Sequence, residues 1–175
     1  PREGHAGPVI VRTECGFLNA MGLPNPSYVE FIEELKLVKK VPVIASIFGG
    51  NAEEFVEVAS GICKAKPEAL ELNISCPHAK GYGADIGTDA ELVRRITKAV
   101  KREVEVPVWV KLTPNVTNIV EIGKAAEKGG ADAVVAINTI KGMAIDIESG
   151  YPILGNKIGG LSGTAIKPVA VRCVY

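Results

Sequence analysis

What most constrains this chain is a recurrence: a short apolar run, a turn, then a helix opened by a capping pattern. Val41–Ile47 (VPVIASI) reads as a strand, and Asn51-Ala52-Glu53-Glu54 opens a helix to about Lys64. A strand at 69–75 comes next, and Thr88-Asp89-Ala90-Glu91 opens a helix to about Arg102. Val106–Thr113 (VPVWVKLT) is another strand. Asn118–Glu121 starts a helix that Gly129-Gly130 stops, and Ala133–Ile137 (AVVAI) is a strand again. Upstream, Ser27-Tyr28-Val29-Glu30 has the form of a capping box opening a helix to about Lys36. Repeated units of this kind imply a parallel sheet, and near-continuous apolar strands imply a sheet covered on both faces. Two architectures answer to that description, the doubly wound sheet and the (βα)8 TIM barrel. No GxGxxG opens a helix after a first strand, which counts against the dinucleotide-binding form of the former.

The remaining stretches are less regular. Val9–Val11 is apolar, and Thr13–Pro26 (TECGFLNAMGLPNP) reads as a loop rich in Gly, Pro and Asn. Lys80–Gly87 (KGYGADIG) is glycine-rich and is a candidate mobile lid. Ile140–Gly160 is long for a βα loop; Ile145-Asp146-Ile147 and Tyr151-Pro152-Ile153-Leu154 flank Glu148-Ser149-Gly150 and suggest a hairpin insertion, a candidate subunit contact.

Composition excludes several classes. Twenty basic and twenty acidic residues give a net charge of zero, so neither a nucleic-acid partner nor a basic membrane-surface patch is expected. No run of about 18 apolar residues proposes a membrane span. Four cysteines (Cys15, Cys63, Cys76, Cys173) form no CxxC pair, and two histidines are too few for a His-rich metal site, so a reducing, cytoplasmic setting is expected.

Chemistry gathers at the strand ends. Ser46, Asn73 with Cys76, Lys111, and Asn138 with Thr139 lie at or just past the C-terminal ends of four consecutive strands, the face where barrel active sites are built. The stretch ALELNISCPH (69–78) concentrates the pattern: Leu70, Leu72 and Ile74 alternate with polar or small residues, and Pro77 ends the strand beside a thiol. Taken singly, Cys76 has the reading of a small buried hydrophobe, Lys111 of a snorkelling strand-end residue, and the Asn and Thr residues of turn formers. Four successive strands that deliver amide, thiol, ammonium and amide to one rim favour a site. Asparagine amides suit a neutral ring with alternating C=O and N–H groups, a lysine suits developing negative charge, and a thiol of lowered pKa can act as a base. Such a set fits redox chemistry on a cofactor better than hydrolysis.

Five segments carry a resemblance that covers nearly the whole chain: NAMGLPNP (19–26), ELNISCPH (71–78), VKLTPNVT (110–117), INT (137–139) and GGLSG with IKPVA (159–170). Together they resemble the class 1 dihydroorotate dehydrogenases, particularly class 1B. The resemblance implies an FMN-containing (βα)8 barrel that oxidises dihydroorotate to orotate in de novo pyrimidine biosynthesis. It implies that Cys76 is the base removing the C5 proton while C6 passes hydride to the flavin. Asn19, Met21, Gly22, Leu23, Asn73, Asn138 and Thr139 would bind the substrate. Ser46, Asn73, Lys111, Ile137 and Gly163 would contact FMN, with Lys111 at the flavin N1/O2 edge. It further implies a homodimer and an iron–sulfur/FAD subunit that passes electrons to NAD.

Three departures from the family pattern stand out. His78 follows SCP where many class 1 members have Asn, and the related dihydropyrimidine dehydrogenases, which act on uracil and thymine, share that His. Ser46 replaces a flavin-contacting Asn and can make only one of its contacts. Against the roughly 250 residues of a typical barrel, 175 residues are expected to form a central part of one FMN-binding domain, with further strands before Pro1 and after Tyr175. A non-catalytic barrel fragment, and a lyase using Lys111 as a Schiff base, are the readings from other classes.

Overall fold

The computed structural model describes residues 1–38, 40–75 and 86–175. Cys76 and His78, and most of the glycine-rich segment 80–87, therefore lie outside the described residues.

Two four-stranded sheets organise the chain. The first is parallel: β3 (Ile44–Ile47), β4 (Ala69–Asn73), β5 (Val108–Lys111) and β6 (Ala133–Val135) pair in chain order. Between them run α2 (Ala52–Ile62), α3 (Ala90–Glu103) and α4 (Ile119–Lys128), with α1 (Tyr28–Leu35) packed against α2. The order has no reversal of the kind that marks a doubly wound sheet. Strand limits fall inside the expected runs, because Pro42 and Pro107 stand just upstream and proline supplies no ladder N–H.

Burial alternates along these strands. Ala45, Ile47, Leu70, Leu72, Val108 and Val110 are buried with Phe55, Ala59 and Ile62 of α2, Val93, Ile96 and Val100 of α3, and Ile122 and Ala126 of α4. Each large apolar side chain sealed there contributes about 1.5–3 kcal/mol. Ser46, Glu71, Asn73, Trp109 and Lys111 fall on the opposite face, which is partly accessible. Among the described residues helices cover one face, and the other presents polar side chains.

The second sheet corrects a larger expectation. Residues 13–26 are not all loop: β1 (Ile10–Thr13) turns at Glu14-Cys15 into β2 (Gly16–Asn19). β2 pairs antiparallel with β8 (Gly159–Ser162), which pairs with β7 (Ile140–Gly142). Leu18, Ala20 and Leu154 form a small second core between these strands and the 140–160 excursion. That excursion holds the expected hairpin: Ile145 bridges Pro152, and the Asp146 N–H donates to the Tyr151 carbonyl at 2.9 Å. A short helix, α5 (Lys167–Val174), follows β8.

The helix starts are mostly as read. Asn51, Asp89 and Asn118 accept from the N–H groups of Glu54, Leu92 and Glu121 respectively. Ser27 does not cap: it sits at φ 104, its side chain makes no cap bond, and its N–H donates to Asn25 Oδ1. An Asx turn has taken the place of the capping box. At the end of α4, Gly130 takes φ +94, the left-handed conformation that glycine adopts without a Cβ clash.

Candidate active site

The C-terminal ends of the parallel strands meet the second sheet in a cleft of about 120 Å³. Asn19 at the end of β2 and Met21, Gly22 and Leu23 just beyond it form one wall; Asn73 and Ser75 at the end of β4 form another. Asn138 and Thr139, between β6 and β7, close it with Gly159 and Gly160 of β8, Asn115 and Lys141. All seven residues expected to bind substrate therefore line one cleft, drawn from three distant stretches of chain.

A closed ring of hydrogen bonds fixes the amides. Asn138 Nδ2 donates to Asn73 Oδ1 at 3.1 Å and to the Ser75 hydroxyl, which itself donates to Asn73 Oδ1 at 3.1 Å. Asn138 Oδ1 accepts the Thr139 N–H at 2.9 Å. Both hydrogens of Asn138 are thus spent on orientation, whereas the Asn73 NH2 group has no partner among the described residues.

The opposite wall offers main-chain donors. The carbonyls of Met21, Gly22 and Leu23 accept from the His5 N–H, Arg2 Nε and Asn25 Nδ2 at 3.1, 3.2 and 2.8 Å. The N–H groups of the same three residues have no partner among the described residues. Gly22 and Leu23 take φ 75 and 56, which turns the backbone over on itself. A row of free amide N–H groups suits an anion.

Sequence reasoning missed Asn115 as a site residue. Its Nδ2 donates to the Thr139 carbonyl at 3.1 Å and to Thr113 Oγ1 at 3.0 Å, and its Oδ1 accepts the Lys141 N–H at 2.9 Å. The available signal was its place four residues past Lys111, in the loop that leaves the same strand end. Glu71 was missed too, because a carboxylate inside a strand reads as a solvent-facing residue. Its Oε1 accepts from Ser46 Oγ at 2.9 Å and from Lys111 Nζ at 3.4 Å.

The remaining expected residues fall elsewhere. Ser46 and Lys111 do not line the cleft; they share the accessible face of the parallel sheet with Asn73, which is the cross-strand partner of Lys111. Ile137 packs against the main core, and Gly163 follows β8 at φ +107, where a Cβ would lie 2.8 Å from the Gly16 Cα. Cys76 follows Ser75 in the chain but is outside the described residues. Among the described residues no group of three His, Cys, Asp or Glu side chains is placed to hold a metal ion, and no helix is long and apolar enough to cross a membrane.

Comparison with known proteins decides the family, since the dihydroorotate dehydrogenase profile matches residues 1–175. The chain belongs to the dihydroorotate dehydrogenase family. Within that family it is 67% identical over 178 residues to a Methanosarcina acetivorans protein named dihydroorotate dehydrogenase B (NAD(+)), catalytic subunit, covering 100% of this chain and 57% of that protein. Proteins of the same name from Methanocella arvoryzae and Pyrococcus furiosus are 66% and 54% identical over 177 and 176 residues, again covering 100% of this chain and 58% of each. The chain therefore spans somewhat more than half the length of these family members.

Proposed function

We propose that this chain supplies the substrate cleft and the flavin-facing strands of a class 1B dihydroorotate dehydrogenase, which oxidises dihydroorotate to orotate in de novo pyrimidine biosynthesis. The observation that carries the reading is the convergence of Asn19, Met21–Leu23, Asn73, Asn138 and Thr139 on one cleft. The chain-order parallel strands support a (βα)8 barrel of which residues 1–175 form one part.

The donor set fits both ligands. Dihydroorotate is a cyclic imide with a carboxylate, and the free N–H groups of Met21, Gly22 and Leu23, with the Asn19 amide, suit that carboxylate. Asn73 presents its free NH2 group to the ring, while Asn138 and Thr139 close the far side. FMN fits the accessible sheet face, where the Ser46 hydroxyl, the Asn73 amide and the Lys111 ammonium lie together; Ile137 and Gly163 complete its contacts. The chemistry FMN would supply there is acceptance of the hydride from C6. Cys76 would take the C5 proton, and Lys111 would supply positive charge to the FMN held there, whose reduction adds negative charge. The relatives' printed names support the role of a catalytic subunit in an NAD(+)-type enzyme; the family resemblance adds a homodimer, a cytoplasmic setting and an iron–sulfur/FAD subunit that delivers electrons to NAD.

The test is the flavin absorbance of the full-length polypeptide under anaerobic conditions. Dihydroorotate bleaches the band and dihydrouracil, which lacks the carboxylate, leaves it unchanged. Bleaching by dihydrouracil instead would transfer the substrate to the pyrimidine-base class and make His78 the residue to change next. A polypeptide that takes up no FMN overturns the reading. Cys76→Ser slows bleaching by dihydroorotate strongly at neutral pH, because a hydroxyl is a much weaker base than a thiolate; a wild-type rate removes the thiol from the mechanism.

A further inference from the structure

We infer that Glu71 is a positioning residue that sets how much positive charge the sheet presents to the cofactor, through Lys111. The inference rests on the flavin reading above. Leu70 and Leu72 are wholly buried toward the helices, so the two-residue alternation of β4 places Glu71 on the accessible face beside Asn73. Ser46 is its cross-strand partner on β3, and Lys111 is the partner of Asn73 on β5. A single carboxylate oxygen of Glu71 accepts from both, at 2.9 Å from Ser46 Oγ and 3.4 Å from Lys111 Nζ. The Glu71 side chain is only 14% exposed and that of Lys111 30%, so solvent screens the pair incompletely. Among the described residues on this face of β3 to β6, Glu71 is the sole acid and Lys111 the sole base.

This arrangement has two physical consequences. Lysine carries its charge on a long, freely rotating stem, and the carboxylate restricts where the ammonium can stand. The carboxylate also cancels part of the ammonium's field at the point where reduction adds negative charge to a bound flavin. Ser46 moderates that cancellation by occupying the same oxygen. The network thereby holds the flavin potential below the value an unpaired ammonium would give.

The experiment measures the midpoint potential of bound FMN, and its dissociation constants in oxidised and reduced forms, in the full-length polypeptide. Glu71→Gln keeps the shape and the acceptor oxygen but removes the charge; it moves the potential upward and tightens reduced FMN more than oxidised. In a Lys111→Gln background the same change moves the potential by less than half as much, because the partner through which Glu71 acts is gone. An unchanged potential, or an equal shift in both backgrounds, overturns the role while leaving the flavin reading intact. If Glu71→Gln yields no folded protein, Ser46→Ala reads the network with the opposite sign: it leaves the oxygen wholly to Lys111 and lowers the potential, and no movement there overturns the role. A wild-type polypeptide that binds no FMN overturns the proposed function and this role together.

Discussion

Asn115 uses its entire amide on positioning, with two hydrogens given to Thr113 and Thr139 and its oxygen taken by the Lys141 N–H. It holds the segment that carries Asn138 and Thr139 at the rim of the cleft without belonging to the expected constellation. Asn115→Ala removes all three bonds. Two of them at about 0.5–1.5 kcal/mol each amount to roughly a tenfold rise in KM for the proposed substrate in the full-length polypeptide, with kcat less affected because the reacting atoms are not touched. Asn115→Asp, which retains the acceptor for Lys141, falls between the two in steady-state assays. Neither Asn115 nor Glu71 was legible as a site residue in the sequence. Each acts on a residue distant in the chain, at positions 139 and 141 or 46 and 111, and no local spacing encodes such a pairing. Of the seven residues expected at the cleft, Asn73, Asn138 and Thr139 were legible from their places at strand ends, whereas Asn19, Met21, Gly22 and Leu23 came from the family resemblance alone, because the stretch that holds them reads locally as a loop.

Among the elements, the joint between α3, β5 and β6 depends on Asp132. Its carboxylate accepts from Lys101 Nζ at 2.5 Å near the end of α3 and from the Val108 N–H at 2.7 Å at the start of β5. The Lys101 hydrogen bond first, and the Val108 N–H second, hold the Asp132 carboxyl below its ordinary value of 3.8. A depressed folded-state pKa contributes stability that is complete above the ordinary value and lost as pH falls through the folded one. Asp132→Ala leaves the buried Val108 without an acceptor for its N–H and destabilises by about 1 kcal/mol, the low end for an orphaned donor because the carboxylate itself is substantially exposed. Urea unfolding midpoints show that difference at neutral pH and a gap that shrinks as the pH falls below the ordinary carboxylate value of 3.8. Helix starts were readable one residue at a time where the cap is local, as at Asn51 and Asn118, while the pattern at Thr88–Glu91 marked the start one residue early, since Asp89 is the cap. At Ser27 the same signature failed, because the side chain of Asn25 reached the Ser27 N–H first.

At the scale of the whole molecule, the antiparallel sheet is set against the strand ends of the parallel one, and Gly160 marks how closely. A Cβ there would lie 2.1 Å from Thr139 Oγ1 and 2.6 Å from Thr139 Cβ. Thr139 cannot withdraw easily, because Asn115 holds its carbonyl and Asn138 Oδ1 accepts its N–H. Gly160→Ala therefore displaces Thr139 within the cleft. It lowers kcat/KM for the proposed substrate in the full-length polypeptide by about a hundredfold, the scale expected of a 1 Å misplacement, while the parallel-sheet core, which it does not touch, keeps most of the thermal stability. A melting curve alongside the kinetics separates the two. The sequence by itself determined the alternating strands and helices, the parallel sheet and the residues at its strand ends, because periodicity, caps and turns act over a few residues. Only the tertiary structure decided that residues 17–19 pair with 160–162, that one face of the parallel sheet carries Ser46, Glu71 and Lys111 as a connected set, and that Asn115 clamps the cleft. Those outcomes depend on hydrogen bonds across 24 to 145 positions of chain, which form only once the sheets have brought their partners together.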